Sequence, residues 1–215
     1  MSHRLMRATS LLLLTLVPLS ADAQVEKLTE ADLYDYQQRL PEAIAAAKGA
    51  ALRNHLNALL GQKTPEGRLA VANAVRVTAD LSRQPAAVGQ LVHYAVPAMS
   101  EMQRLPSAYP LDGSANAPVR IIAAHDEYEA GSFVIYPFST LGKVTCDLGT
   151  FISADGKVFP KDDLDLKVVK VWYQNGNAWY SYFGDTGLKL VPELLLNDED
   201  LIKVDQKEAG NFARL

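Results

Sequence analysis

The chain has one cysteine, two tryptophans and no surplus of positive charge, and each scarcity excludes something. Cys146 has no second thiol to pair with, so no internal disulfide holds the fold and its stability must come from a core. A formal charge of −4 at pH 7 argues against the basic stripe that nucleic acid requires and against a polybasic membrane surface. The apolar run from Leu11 to Leu19 is too short to span a bilayer, and no later run is longer. His55, His93 and His125 lie far apart, without the close spacing of a zinc site. There is no Gly-x-Ser-x-Gly, no phosphate-binding loop and no Gly-x-Gly-x-x-Gly.

What is present begins with a leader. Arg4 and Arg7 precede the short apolar run, and Ala21-Asp22-Ala23 has the small-x-small form of a signal-peptidase site. Cleavage before Gln24 would leave 19 basic and 24 acidic residues, a charge of −5, on a chain of 192 residues. No cysteine stands directly after the apolar run to carry a lipid. The mature chain is expected to be exported, periplasmic or extracellular, with no membrane contact after cleavage.

Composition changes near residues 106–118, a Pro-, Gly- and Ser-rich stretch that reads as a linker. Residues 24–105 are Ala- and Leu-rich with helical spacing. Thr29 suits the N-cap of a first helix, with Glu30 and Asp32 near its positive end. Pro41 suits the first position of a second, which Gly61 would stop. Thr64-Pro65-Glu66 opens a third. A fourth is expected from Pro85, on Val88, Leu91, Val92, Ala95, Val96, Met99 and Met102, ended or kinked by Pro97.

Residues 119–215 read as short strands: 119–124, 132–138, 143–148, 166–174, 177–183, 188–196 and 201–205, with turns at 153–156 and 184–187. The fold class is therefore α+β: an α-helical N-terminal region followed by an antiparallel β-sandwich. Cys146 alternates with Val144 and Leu148, so it is expected as a buried core thiol.

Asn175-Gly176 is a strong type I′ hairpin signal. A two-residue loop there places Trp172 opposite Trp179. One face would carry Val169, Val171, Tyr173, Ala178, Tyr180 and Tyr182, and is expected to face the core. The other would carry Lys170, Trp172, Gln174, Asn177 and Trp179. Indoles beside amides and an ammonium suit a glycan, whose C–H faces stack on aromatic rings while its hydroxyls meet the polar groups. The competing expectation is a cross-strand aromatic pair, which stabilises a hairpin by about 0.2–1 kcal/mol with no ligand.

The runs Glu127-Tyr128-Glu129, Ser132-Phe133, Pro137-Phe138, Val168 to Gln174, Ala178 to Phe183, Leu190 to Asp198 and Asn211 to Arg214 carry a resemblance. They resemble the N-terminal β-sandwich module of large secreted bacterial glycoside-hydrolase-like proteins of the family 123 type. The similarity covers about the last hundred residues and none of the helical half. It implies an accessory module. In that family a (β/α) barrel follows the sandwich and holds the catalytic acids, so no catalytic residue carries over. The resemblance also implies an incomplete sandwich at Leu215, and so a fragment, a truncated frame or a degenerate copy that needs a protein partner or the missing barrel.

Remaining candidates are weaker. Asp126-Glu127 and Asp198-Glu199-Asp200 are adjacent carboxylates, whereas a glycosidase needs two about 5–10 Å apart across a cleft. Asp162, Asp163 and Asp165 with Asp198 and Asp200 offer oxygens suited to Ca²⁺, without EF-hand spacing; no other cofactor is suggested. Two functions are carried forward: an exported non-catalytic accessory module that binds glycan through the aromatic hairpin, and a structural or protein-interaction module.

Overall fold

A computed structural model describes residues 27–85, 89–100, 102–124, 127–142, 144–146, 149–152, 155–174, 187–196, 203–205 and 210–212. Helix α1 spans Glu30–Ala46. Its start is the expected one: Thr29 Oγ1 accepts from the Asp32 amide at 3.2 Å, and the Asp32 carboxylate accepts from the Thr29 amide at 2.8 Å. Its end is not. The helix runs through Pro41 and stops five residues on, so Pro41 does not open a second helix. The break falls instead at Gly49, whose φ of +95° is closed to other side chains, and α2 follows as Ala50–Ala58. Leu33, Leu40 and Ala43 beyond and before the proline share one buried stripe, and burying that stripe outweighs the lost backbone bond.

Helix α3 spans Pro65–Ser82, capped by the Thr64 hydroxyl and with Pro65 in its first turn, as the sequence indicates. It is the central helix. Val71, Ala72, Ala74, Val75, Val77 and Leu81 are all buried, which is most of its circumference.

The expected fourth helix is a strand, β1, at Leu91–Val96. Leu91, Val92, Ala95 and Val96 fit a helical stripe, but Val92, Tyr94 and Val96 also fit a period of two. The segment is short, rich in β-branched and aromatic residues and bounded by Pro97, and those features decide for the strand. β1 sits between β2 (Ser114–Ala115) and β3 (Ser132–Pro137), both antiparallel to it. β2 lies inside the stretch that reads as a linker.

One face of this sheet closes on the helices. Val92, Tyr94, Val96 and Phe138 join Leu40, Leu52, Leu56, Ala74 and Val77 in a single core. The helices and the first sheet therefore share one interior.

Beyond the first sheet come β4 (Phe151–Ile152) with β5 (Val158–Phe159), β6 (Val168–Gln174) with β7 (Lys189–Leu196), and β8 (Lys203–Asp205) with β9 (Gly210–Phe212), all antiparallel. The chain is α+β. The two-sheet sandwich goes beyond what these pairings establish. Residues 119–124 are not a strand, and Val119, Ile121 and Ile122 stand exposed. Residues 144–146 are not a strand either, and Cys146 is exposed, so it is no core thiol. No helix among the described residues is long and apolar enough to cross a membrane.

Candidate functional site

Trp179, Asn177 and the Asn175-Gly176 turn lie outside the described residues; Lys170, Trp172 and Gln174 lie on β6. β6 pairs with β7, which places Trp172 opposite Val191 and Gln174 opposite Lys189. The register shifts between Lys170, opposite Leu194, and Val171, opposite Pro192. A bulge at a proline is the usual accommodation of a missing ladder donor.

The burial of β6 does not follow the expected division into a core face and a solvent face. On the face expected to be core, Val171 is buried, but Val169 is 41% exposed and Tyr173 47%. On the other, Lys170 is 2% exposed and Trp172 and Gln174 are half-buried. The Lys170 ammonium lies 4.4 Å from the centre of the Trp172 ring. A cation thus occupies one face of the indole and would compete there with a stacking sugar. The indole Nε1 is buried without a hydrogen-bond partner. Gln103 Nε2 donates to the Leu190 carbonyl at 2.9 Å and ties β7 to the loop after β1.

A second constellation had little sequence signal. Tyr94 on β1 donates to Asp80 Oδ2 on α3 at 3.0 Å, and Tyr109 donates to the same oxygen. Arg76, one turn earlier on α3, places its guanidinium 5.2 Å from the Tyr109 ring centre and 4.9 Å from that of Tyr36, whose hydroxyl accepts from Arg76 Nε at 2.8 Å. Burial raises both the Tyr94 and the Tyr109 phenol far above the ordinary range, and the Asp80 carboxylate pushes in the same direction. Both therefore remain neutral donors. The Arg76 and Asp80 pair at helical spacing was the one visible hint. The tyrosines come from other elements.

His55 on α2 packs edge-on to Tyr136, with ring centres 6.0 Å apart, and against Phe138 at 6.2 Å. Its Nε2 is buried and unpartnered. Desolvation lowers its pKa from 6.5, opposed by a hydrogen bond to the Phe138 backbone. The folded state thus prefers the neutral ring. The linked stability is complete above about pH 6.5 and drains away as pH falls below that value, until the folded ring also titrates. The melting temperature of the wild type should fall between pH 7 and 5, above the carboxylate range, and His55→Leu should flatten that slope. Equal slopes in the two proteins would rule the assignment out.

At the far end of β1, Arg104 grips Asp112 with two parallel bonds of 2.7 and 2.8 Å, and Ser100 Oγ adds a third at 2.6 Å. The Arg104 hydrogen bonds, then that of Ser100, hold the Asp112 carboxyl below its ordinary pKa, against some desolvation. Asp112, Ser114, Arg120 and Ser132 line an open cleft of about 300 Å³ there.

Among the described residues no three His, Cys, Asp or Glu side chains are placed to hold a metal ion. Asp165 is paired with Lys167 at 2.6 Å, and Asp198 and Asp200 lie outside the described residues. Comparison with protein-family models, with curated proteins and with solved structures finds no match to this chain.

Proposed function

We propose that the chain is an exported, non-catalytic accessory module of a glycoside-hydrolase-like system, and that it works by docking another polypeptide. Export rests on the leader, and the system on the resemblance of the last hundred residues. The observation that carries docking is the exposure of apolar side chains in the β-rich half. On the first sheet, Phe133 and Ile135 of β3 point away from the helical core and are exposed. In the β4–β5 hairpin Phe151, Ile152, Val158 and Phe159 are all exposed. Isolated two-stranded hairpins are marginal in water, and apolar patches of this kind mark interaction surfaces.

The glycan-platform alternative is disfavoured by the ammonium on the Trp172 ring. Two measurements separate the readings. Sedimentation velocity of the mature chain mixed with a purified glycoside-hydrolase-like barrel should show a complex, which Phe133→Lys with Ile135→Lys abolishes. Tryptophan fluorescence titrated with a glycan panel should stay unchanged. A saturable quench removed by Trp179→Ala, with no complex in the centrifuge, would replace docking by glycan binding.

A further inference from the structure

The cleft beyond the end of β1 is built from four separate stretches of chain. They are Ala95 to Ala98, Asp112 with Ser114, Val119 with Arg120, and Ala130 to Ser132. Two features preform it. The Arg104 guanidinium, besides clamping Asp112, donates to the Pro97 carbonyl at 3.3 Å, so one cation fixes two walls. Gly131 lets the 119–121 segment close in: a Cβ there would lie 2.6 Å from a Val119 methyl and 2.9 Å from Ile121 Cδ1. The cleft therefore needs no ligand to draw its walls together.

Its polar groups divide into satisfied and unsatisfied ones. Asp112 has its charge matched by Arg104. Arg120 has no hydrogen-bond or ion-pair partner among the described residues, and neither hydroxyl, of Ser114 or of Ser132, has one either. The open valences are thus one planar cation and two hydroxyls, beside a wall of Val96, Pro97 and Val119. A guanidinium presents paired donors that match a carboxylate. The ionised Asp112 at the same rim repels a second negative charge and keeps lone pairs for a ligand hydroxyl. A volume of about 300 Å³ suits a single small ring.

We propose that this cleft binds a hydroxylated monocarboxylate of monosaccharide size, a uronate, with Arg120 receiving the carboxylate and Ser114, Ser132 and Asp112 the hydroxyls. Trp172 does not line the cleft, so binding is read by heat rather than by indole emission. Isothermal titration of the mature chain with D-glucuronate should give saturable binding that weakens as salt is added. D-glucose should bind at least tenfold more weakly, and so should inorganic phosphate. Arg120→Gln, an exposed substitution whose fold circular dichroism can verify, should weaken glucuronate about tenfold or more, the loss of one charge-assisted pair. Gly131→Ala should weaken it too, by displacing Val119. No heat with glucuronate overturns the proposal, as does equal affinity for glucose or for phosphate. Undiminished binding by a folded Arg120→Gln chain overturns it as well.

Discussion

Asp80→Ala should lower the unfolding free energy by about 3 kcal/mol, one of the two largest effects expected of a single substitution at a polar side chain here. The loss is not that of a surface carboxylate. Asp80 Oδ2 is the common acceptor for Tyr94 and Tyr109, and Tyr94 is fully buried. A buried donor stripped of its acceptor costs about 1–3 kcal/mol. Tyr94 incurs most of that, and half-buried Tyr109 turns partly to water and incurs less. Asp80→Asn keeps an acceptor oxygen and should cost only about 1 kcal/mol, the difference between a charged and a neutral hydrogen bond. Urea denaturation of the three proteins is the measurement. Asp80→Ala and Asp80→Asn sharing the wild-type midpoint would show that the phenols find other acceptors.

Lys170→Met should do the opposite and stabilise the chain by about 1–2 kcal/mol. Two terms compete. Burying an ammonium costs several kcal/mol unless it is paired and hydrogen-bonded. Among the described residues its partner is the face of Trp172, worth about 0.5–2 kcal/mol. The desolvation term is the larger. Methionine keeps the length of the stem and its contacts while removing the charge. Lys170→Ala should destabilise instead, because it deletes the stem and leaves a cavity. Opposite signs for these two substitutions form the prediction; a destabilised Lys170→Met would mean that the ammonium is doing more than resting on an indole. In a docked assembly the ammonium would have a further use, pairing with an acceptor of the partner, and the gain from Met would then shrink when the partner is bound.

How much was legible differs from element to element, for physical reasons. Thr29 and Thr64 marked helix starts correctly, because an N-cap is a contact within four residues and needs nothing from the rest of the chain. Pro41 misled, since its cost of about 3 kcal/mol in an isolated helix is met here by the buried stripe of Leu33, Leu40 and Ala43. Leu91–Val96 misled for another reason. Its apolar residues satisfy both periods, and only the partners β2 and β3 distinguish them. The strands 132–138, 166–174 and 188–196 were placed to within two residues, each being long, β-branched and bounded by turn residues.

The site was less legible than the fold. Trp172, Lys170 and Gln174 were singled out by type and alternation, and alternation does place them on one side of β6. It does not say which side meets solvent. Their supposed solvent face is the more buried one, and Tyr173 points out. Asp80, Tyr94 and Tyr109 lie 14 and 29 residues apart in the chain and share no motif. Nothing local binds them.

From the sequence alone came what is decided within a few residues: the helix starts at Thr29 and Thr64, the strands at 132–138, 166–174 and 188–196, the lone thiol, the lack of basic stripes and metal spacings, and the α+β class. The tertiary structure alone decided which periodicity Leu91–Val96 obeys, which side chains of β6 are buried, that Cys146 is outside the core, and that Asp112, held by Arg104, and Arg120 line one cleft. The division follows from range. Capping and alternation are settled by neighbours in the chain, whereas burial and charge pairing depend on segments tens of residues away, whose arrival no local pattern records.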